Sequence, residues 1–495
     1  MGVEGYHYLA VDLGAESGRV MLATLSDGRL TLEEIHRFGN GPVRLPGGLH
    51  WDVLHLWSEI KAGIALSRKY GVQINSIGVD TWGVDFALLD RQGNLIGNPY
   101  HYRDARTNGM LEVTFQRMPR EEIFAHTGIQ FMPINSLYQL LAMVNQDSPW
   151  LKIAQTFLMI PDLFHYWLSG IITNEFTNAT TTQCYDPQKK SWAIPVLERL
   201  GIPISIFQSV SSPGTVLGDV LPSVAEETGC HNLKVVLPAT HDTGSAVAAV
   251  PAPESGFAWI SSGTWSIVGA EIDHPVVTND ALRYNFTNEG GVENTWRLSK
   301  NVMGLWLVQE CRRTWVSQGL SLDYEEITRL ASQARPFVAV IDPDYPEFLY
   351  PGDMPNRIVD YCVRTGQTPP QDHGEMIRVV LESIALKYRW VIERLECLIG
   401  KRLDTIYIVG GGTKNRLLNQ FTADATGCRV IAGPSEATSI GNALMQAIGL
   451  GHLKNVTEGR AFVRSSFSPE IYLPMASEDW NKPYNLLCQL VGNYA

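Results

Sequence analysis

Asp12 stands two residues before a glycine, in the run Leu9-Ala10-Val11-Asp12-Leu13-Gly14-Ala15-Glu16-Ser17-Gly18-Arg19-Val20. Apolar residues on both sides of that glycine read as strand, turn, strand. Turns of Gly and Ser let backbone N–H groups approach phosphate oxygens closely. A carboxylate at a strand end can hold a hard cation such as Mg2+. The pattern returns as Ala258-Trp259-Ile260-Ser261-Ser262-Gly263-Thr264-Trp265-Ser266-Ile267-Val268, and Gly14 overlays Gly263 at an offset of 249 in a chain of 495 residues. Two such turns predict two related halves holding one polyphosphate from both sides. Glu16 is discordant, because a carboxylate in a phosphate grip repels, so it is expected to face solvent or a metal.

A second group of residues suits alcohol chemistry. Thr240-His241-Asp242-Thr243-Gly244-Ser245 follows the apolar Val235-Val236-Leu237. Phosphorylating an alcohol needs a base or acceptor near the attacking hydroxyl and a metal on the phosphates. Asp242 beside His241 and Thr243 fits that need. The same residues also suit the cap of a helix over the Ala-rich stretch that follows, and local sequence leaves both readings open. Asp80-Thr81-Trp82-Gly83-Val84-Asp85-Phe86 joins acceptors, a donor and an aromatic face at a turn, which suits a sugar; it equally reads as strand–turn–strand around a buried Trp. Thr177-Asn178-Ala179-Thr180-Thr181-Thr182 is a polar cluster read as a loop. Gly410-Gly411-Gly412 lies between an apolar strand and a helix and allows close backbone approach to a flat ring or ribose. Its spacing is not G-x-G-x-x-G, and no G-x-x-x-x-G-K-[ST] occurs, so NAD and P-loop chemistry are unsupported. Arg103-Asp104 follows His101-Tyr102 without a true H-R-D or D-F-G, which excludes a protein kinase.

Several elements must position these groups. Ile77-Gly78-Val79-Asp80 and Phe86-Ala87-Leu88-Leu89-Asp90 read as strands about a turn. A helix is expected over 135–146, with Asn135 as its cap and Leu137, Leu140, Leu141 and Val144 on one face. Ile377, Val380, Leu381, Ile384, Tyr388, Val391, Leu395 and Leu398 recur at three- and four-residue steps until Gly400. The strand over 406–409, a helix over 415–425 ending near Gly427, and the strand over 430–432 complete an alternation that predicts a layered α/β domain. In such folds ligands lie at the carboxyl ends of strands, where Asp12, Gly410 and Asp242 are expected.

The length is too great for one core and predicts two domains of about 200–250 residues. Pro251-Ala252-Pro253-Glu254-Ser255-Gly256 is the expected connector, giving a sugar-binding half at 1–250 and a nucleotide-binding half at 251–495. Hydrophobic residues make up 45% and charged residues 18%, an ordinary globular balance. The net charge of −12 argues against a general nucleic-acid binder. No apolar run reaches about 18 residues, so no membrane span is expected, and residues 1–6 show no secretory pattern. Seven scattered cysteines without a CxxC predict neither disulfides nor zinc, and a cytoplasmic setting.

These motifs, taken together, resemble the FGGY carbohydrate kinases. The carriers are Ala10 to Gly14 with Ser17-Gly18-Arg19, Thr240 to Thr243, Ser262-Gly263-Thr264-Trp265-Ser266 and Val409 to Gly412. Ser76 to Phe86, Tyr102-Arg103-Asp104-Ala105-Arg106-Thr107-Asn108-Gly109, Thr177 to Gln183 and Asn301-Val302-Met303-Gly304-Leu305-Trp306 are similar to the branch of that family acting on L-rhamnulose. The resemblance covers nearly the whole chain. It implies two ribonuclease-H-like lobes of the actin/Hsp70 type with an ATP cleft between them, and phosphorylation of the 1-hydroxyl of L-rhamnulose by ATP with Mg2+. It implies Asp242 as the base, and Ala15, Glu16, Ser17, Gly18, Arg19, Thr264, Gln309 and Gly411 as ATP contacts. Gly83, His241, Asp242, Thr243 and Asn301 match the sugar positions, and Asp12 matches the metal-associated acid, acting directly or through water. Leu137 and Leu140 stand where many members carry Lys and Trp, as they do in that branch. Glu16 stands where a small hydroxyl residue is usual, which bears on ATP affinity rather than fold.

The implied partners are a ketose and ATP, with no nucleic acid, membrane or obligate protein partner. The rival expectations are a kinase for another ketose, such as L-fuculose or xylulose, and a non-enzymatic actin- or Hsp70-like ATPase switch. The first rival differs by a few hydroxyl contacts.

Overall fold

The computed structural model describes residues 5–253, 256–475 and 480–492. Residues 1–4 of the amino-terminal segment, and Glu254 and Ser255 of the expected connector, lie outside the described residues. The chain forms two compact units. Unit 1 comprises Met1–Pro253, Ile272–Leu298 and Ala437–Phe467; unit 2 comprises Glu254–Glu271, Ser299–Glu436 and Ser468–Ala495.

The sheet of unit 1 runs in the order Val216–Asp219, Lys234–Val236, Ser76–Thr81, Tyr6–Leu13, Ser17–Ser26, Arg29–Gly39. Its three central strands are parallel, and antiparallel strands flank them. All six residues of Ser76–Thr81 are buried, as are the last six of Tyr6–Leu13, which is expected of parallel strands covered on both faces. Arg29–Gly39 is the outer strand; it exposes Glu33, Glu34 and Arg37, charges that discourage pairing with another sheet. The hairpin expected at the start of the chain is the pair Tyr6–Leu13 and Ser17–Ser26, with Asp12 opposite Arg19. Tyr6–Leu13 also lies parallel to Ser76–Thr81 with Asp12 beside Asp80.

The helix Asp242–Ala248 begins the turn after Lys234–Val236 and packs on Ala437–Gly449. Gly441 makes that approach possible: a Cβ there would lie 1.8 Å from the Ser245 carbonyl oxygen. The helix expected over 135–146 is Ser136–Asn145 with Asn135 at its cap position. The Asn135 amide does not cap; it donates to the Gln130 carbonyl and to Gln183 Oε1. The polar stretch 177–182, expected as a loop, is a buried helical turn, Phe176–Ala179, running into Thr180–Thr182. The reason is Glu175, whose carboxylate accepts from the Thr177 and Asn178 N–H groups and so nucleates the turn.

Unit 2 has the same strand plan. Trp265–Ile272 is antiparallel to Ala258–Ser262, which is parallel to Thr405–Val409 and, beyond it, Arg429–Ala432; Glu470–Tyr472 closes the edge antiparallel. The 27-residue helix His373–Ile399 starts at Asp372, which accepts from Glu375 N–H, and stops at Gly400 with φ +66°. Arg416–Thr426 is capped by Asn415 and ended by left-handed Gly427, as its periodicity predicts. All seven cysteines are free. Among the described residues no helix is long and apolar enough to cross a membrane.

Candidate active site

In unit 1 three carboxyl groups meet at the carboxyl ends of the parallel strands. Asp12 Oδ2 accepts from Arg19 Nε at 3.0 Å and from Arg19 Nη2 at 2.6 Å, and from Ser439 Oγ at 3.5 Å. Arg19, expected to touch phosphate, therefore also neutralises Asp12 across the hairpin. Asp80 is fully buried; Asn442 Nδ2 donates to its Oδ2 at 2.6 Å, while Oδ1 has no protein partner. Burial, with Asp12 and then Asp242 adding repulsion, pushes the Asp80 carboxyl well above the usual carboxylate range. Ser439, Asn442 and Gln446 recur at three- and four-residue steps on the helix Ala437–Gly449 and reach Asp12, Asp80 and Ser76 in turn.

Asp242 is the first residue of its helix, and His241 takes the cap position without a side-chain cap bond. Asp242 Oδ1 accepts from Thr243 N–H at 2.5 Å and Thr243 Oγ1 at 3.1 Å. Its side chain remains 33% exposed. Burial raises its carboxyl above the ordinary value; His241 pulls it down and Asp12 pushes it up again. A carboxylate so raised, with an exposed edge, is equipped to accept a proton. The segment is anchored from below by Glu175, which accepts from the N–H and the hydroxyl of Thr240 at 3.0 and 2.7 Å. The Thr177 hydroxyl, itself donating to Glu175 at 2.6 Å, accepts from the His241 N–H at 3.1 Å.

His241 meets two further residues. Its Nδ1 is 3.0 Å from Arg297 Nη2 and 3.2 Å from Glu289 Oε2, and its Nε2 is 3.5 Å from Asp242 Oδ1. Burial would raise the Glu289 carboxyl, but Arg297 and His241 outweigh it and hold the group below its usual range. Sequence reasoning missed Glu175, Glu289, Arg297, Ser439 and Asn442. None stands in a motif with its partner, and only the i, i+3 spacing of Ser439 and Asn442 carries a local signal.

Within the turn over 82–85, Asp85 is an internal acceptor rather than a free one. It takes hydrogen bonds from Trp51 Nε1, Trp82 Nε1, Gln139 Nε2 and the Tyr102 N–H. Burial raises its carboxyl to about 6, and those donors limit the rise. Val84 sits at φ +67°, a strained position for a β-branched residue, held by Ser136 Oγ on its carbonyl and Thr181 Oγ1 on its N–H. Gly83 is packed so closely that a Cβ would meet Thr181 at 3.0 Å. The hairpin turn is built differently. Gly14 N–H donates to the Ser17 carbonyl, and Asn40 Nδ2 reaches the Gly14 carbonyl at 2.7 Å. Glu16 is exposed, and Ala15 and Ser17 are half-buried. Gly18 serves packing, since a Cβ would fall 2.3 Å from the Phe38 ring.

In unit 2 the corresponding strand end carries hydroxyls and glycines. The turn at Gly263 and Thr264 is braced by the Leu305 N–H on the Gly263 carbonyl and the Trp306 N–H on the Thr264 carbonyl. Gly304 permits this, as a Cβ would lie 2.6 Å from Ser266 Oγ. Tyr388 OH and Ser266 Oγ share a hydrogen bond of 2.5 Å. Gly412 rests on Ser262, where a Cβ would lie 2.0 Å from Oγ, whereas Gly411 faces open space. Gln309, on Trp306–Ser317, has a buried Oε1 with no protein partner. Asn301 is half-buried on the strand Trp296–Met303. The structure thus gathers Asp12, Arg19, Asp242, His241 and Thr243 in unit 1, and Thr264, Gln309, Gly411 and Asn301 belong to unit 2.

Among the described residues no three His, Cys, Asp or Glu side chains surround a common point as metal ligands. Asp12 Oδ1 is the carboxylate oxygen that Arg19 leaves open. A hard cation that keeps most of its waters and takes its other oxygens from phosphate asks for no more than one or two carboxylates.

Family models match both parts of the chain. The N-terminal domain of the FGGY family of carbohydrate kinases matches residues 7–249, and its C-terminal domain matches residues 258–450. The chain is 42% identical to the rhamnulokinase of Bacteroides thetaiotaomicron over 478 residues, 97% of this chain and 98% of that one. It is 42% identical to the rhamnulokinase of Oceanobacillus iheyensis over 95% of this chain and 99% of that one. Among solved structures, the ligand-bound xylulose kinase of Lactobacillus acidophilus superposes with a TM-score of 0.83 at 17% identity, covering 99% of this chain and 98% of that one. The glycerol kinase of Plasmodium falciparum with ADP gives 0.79 at 16% identity, covering 99% and 98%. The chain belongs to the FGGY family of carbohydrate kinases and has its mixed α/β, actin/Hsp70-like ATPase fold.

Proposed function

We propose that this chain catalyses the rhamnulokinase reaction: ATP phosphorylates the 1-hydroxyl of L-rhamnulose, giving L-rhamnulose 1-phosphate and ADP. The observation that carries the reading is Asp242, a part-exposed carboxylate raised by burial, in a chain 42% identical along nearly its full length to rhamnulokinases. Asp242 takes the proton of the hydroxyl as its oxygen attacks the γ-phosphorus, and the bond to the ADP oxygen breaks. His241, Thr243, Gly83 and Asn301 are assigned to the sugar. Ala15, Glu16, Ser17, Gly18 and Arg19 are assigned to the phosphates from unit 1, and Thr264, Gln309 and Gly411 to the nucleotide from unit 2. Support for these assignments comes from the unpartnered Gln309 Oε1 and the open side of Gly411. Asp12, through Oδ1 or a bound water, is the residue fitted to hold Mg2+, which would offset phosphate charge. Unit 1, which joins residues 272–298 and 437–467 to the expected 1–250, is read as the sugar-binding lobe, and unit 2, the rest of the expected 251–495, as the nucleotide-binding lobe. The seven free cysteines favour a reducing cytoplasm.

The test is coupled ADP release across a panel of ketoses. L-rhamnulose is expected to give the highest kcat/KM. Preference for L-fuculose or xylulose would keep the kinase and change its sugar. ADP release stimulated by a protein and by no ketose would replace the enzyme with an ATPase switch.

A further inference from the structure

We propose that Arg297 and Glu289 are positioning residues that hold His241 in its Nε2–H tautomer, so that the imidazole presents an N–H to the Asp242 carboxylate. The proposal deepens the reading of Asp242 as the base and rests on it for its effect on turnover.

All of the groups lie in unit 1, and the Arg297 side chain is completely buried. Arg297 Nε donates to the Gly290 carbonyl at 2.8 Å, which fixes the guanidinium plane. Gly290 N–H in turn donates to Thr180 Oγ1 at 2.7 Å, tying the strand Thr287–Gly290 to the polar turn whose Thr177 hydroxyl holds the His241 N–H. From this plane Nη2 lies 3.0 Å from His241 Nδ1 and 3.2 Å from Glu289 Oε2. A neutral imidazole carries one proton and one lone pair, and its neighbours decide which nitrogen has which.

Both assignments can be weighed on the distances. With the proton on Nε2, Nδ1 accepts from Arg297 and Nε2 keeps its N–H 3.5 Å from Asp242 Oδ1, at the cost of setting the Nδ1 lone pair 3.2 Å from Glu289 Oε2. The result is one hydrogen bond from the Arg297 guanidinium to His241 Nδ1, with Glu289 within ion-pair distance of Arg297 and Asp242 within ion-pair distance of the far side of the ring. With the proton on Nδ1, that N–H gains Glu289 Oε2 at 3.2 Å but meets an Arg297 N–H at 3.0 Å, donor against donor. Nε2 then turns a lone pair on the Asp242 carboxylate, acceptor against acceptor. The first arrangement opposes one pair, the Nδ1 lone pair and Glu289 Oε2, whereas the second opposes two, including the short Arg297 contact. Glu289, 3.2 Å from Arg297 Nη2, is its counter-ion, and burying either charge without the other would be costly.

The experiment uses the whole chain labelled with 15N-histidine. The His241 signals are assigned by their loss in His241→Gln. In the protein without sugar, Nε2 is expected to show the protonated shift and Nδ1 the lone-pair shift, a measurement that needs no knowledge of the substrate. The paired variant Arg297→Met/Glu289→Gln removes the donor without leaving a buried carboxylate unpaired. It is expected to lose the Nε2–H preference and to lower kcat roughly tenfold or more, with the KM for ATP within about twofold. Arg297→Lys keeps a cationic donor and is expected to restore the tautomer and most of kcat. A proton on Nδ1 in the unsubstituted protein, or wild-type kcat in the folded paired variant, overturns the proposal. If no ketose is phosphorylated, the functional reading falls, and the tautomer still decides this one.

Discussion

The two units build one hairpin with opposite chemistry. At the offset of 249, Asp12 of unit 1 corresponds to Ser261 of unit 2, and both strands continue into a glycine turn. On its parallel neighbour Asp12 faces Asp80, whereas Ser261 faces Val409. Unit 1 thus crowds three carboxyl groups and must neutralise them with Arg19, Asn442 and a raised Asp80. Unit 2 places no acid there; it offers Ser262, Ser266 and the Tyr388 hydroxyl, with Gly304, Gly410 and Gly412 letting backbone close in. The difference teaches that the hairpin supplies only geometry. Carboxylates at its end suit cation and proton chemistry, and hydroxyls with glycines suit the approach of an anion.

If that division is right, the largest effect falls on unit 1. Asp242→Asn should lower kcat by about 10²–10⁴ while leaving ADP binding by calorimetry unchanged. Equal turnover would remove Asp242 from the role of base. In unit 2 the damage should be steric. Gly412→Ala drives a methyl onto Ser262 and is expected to cost about 1–3 kcal/mol of stability and to weaken nucleotide binding. Gly411→Ala, with open space around it, should leave Tm nearly unchanged; equal losses at both positions would deny the close approach at Gly412.

A smaller change is expected from Tyr388→Phe. It deletes one buried hydroxyl bond to Ser266 and should cost about 1 kcal/mol, read from denaturant unfolding. The last prediction concerns pH. The Asp85 carboxyl is raised to about 6, so in the window from the ordinary carboxylate range up to that value the folded chain keeps a proton the unfolded chain has lost. Stability contributed at this site should fall as pH rises through the window and level off above about 6. Asp85→Asn should flatten that slope in Tm measured against pH, whatever its effect on Tm itself.

Much of the scaffold was legible because its signals are local. The helix His373–Ile399 announces itself by three- and four-residue apolar steps and a terminal glycine, and the strand Thr405–Val409 by its apolar run before Gly410. Asp242 was legible as a candidate, with a helix cap as its rival. The structure puts His241 at the cap position and Asp242 in the first turn, its side chain taken up by Thr243. The stretch 177–182 misread as a loop because the carboxylate that makes it helical, Glu175, is a residue whose type gives no such notice.

By itself the sequence determined the repeated hairpin, the alternation of helix and strand, and the family, since each rests on spacing along the chain. Only the tertiary structure decided that Ser439 and Asn442 would reach Asp12 and Asp80 across more than 360 positions, and that Glu289 and Arg297 would converge on His241. It also decided which carboxyls are raised. The reason is physical: periodicity is written in neighbours, whereas desolvation and the choice of hydrogen-bond partner depend on what folding brings within a few ångströms, which no local pattern encodes.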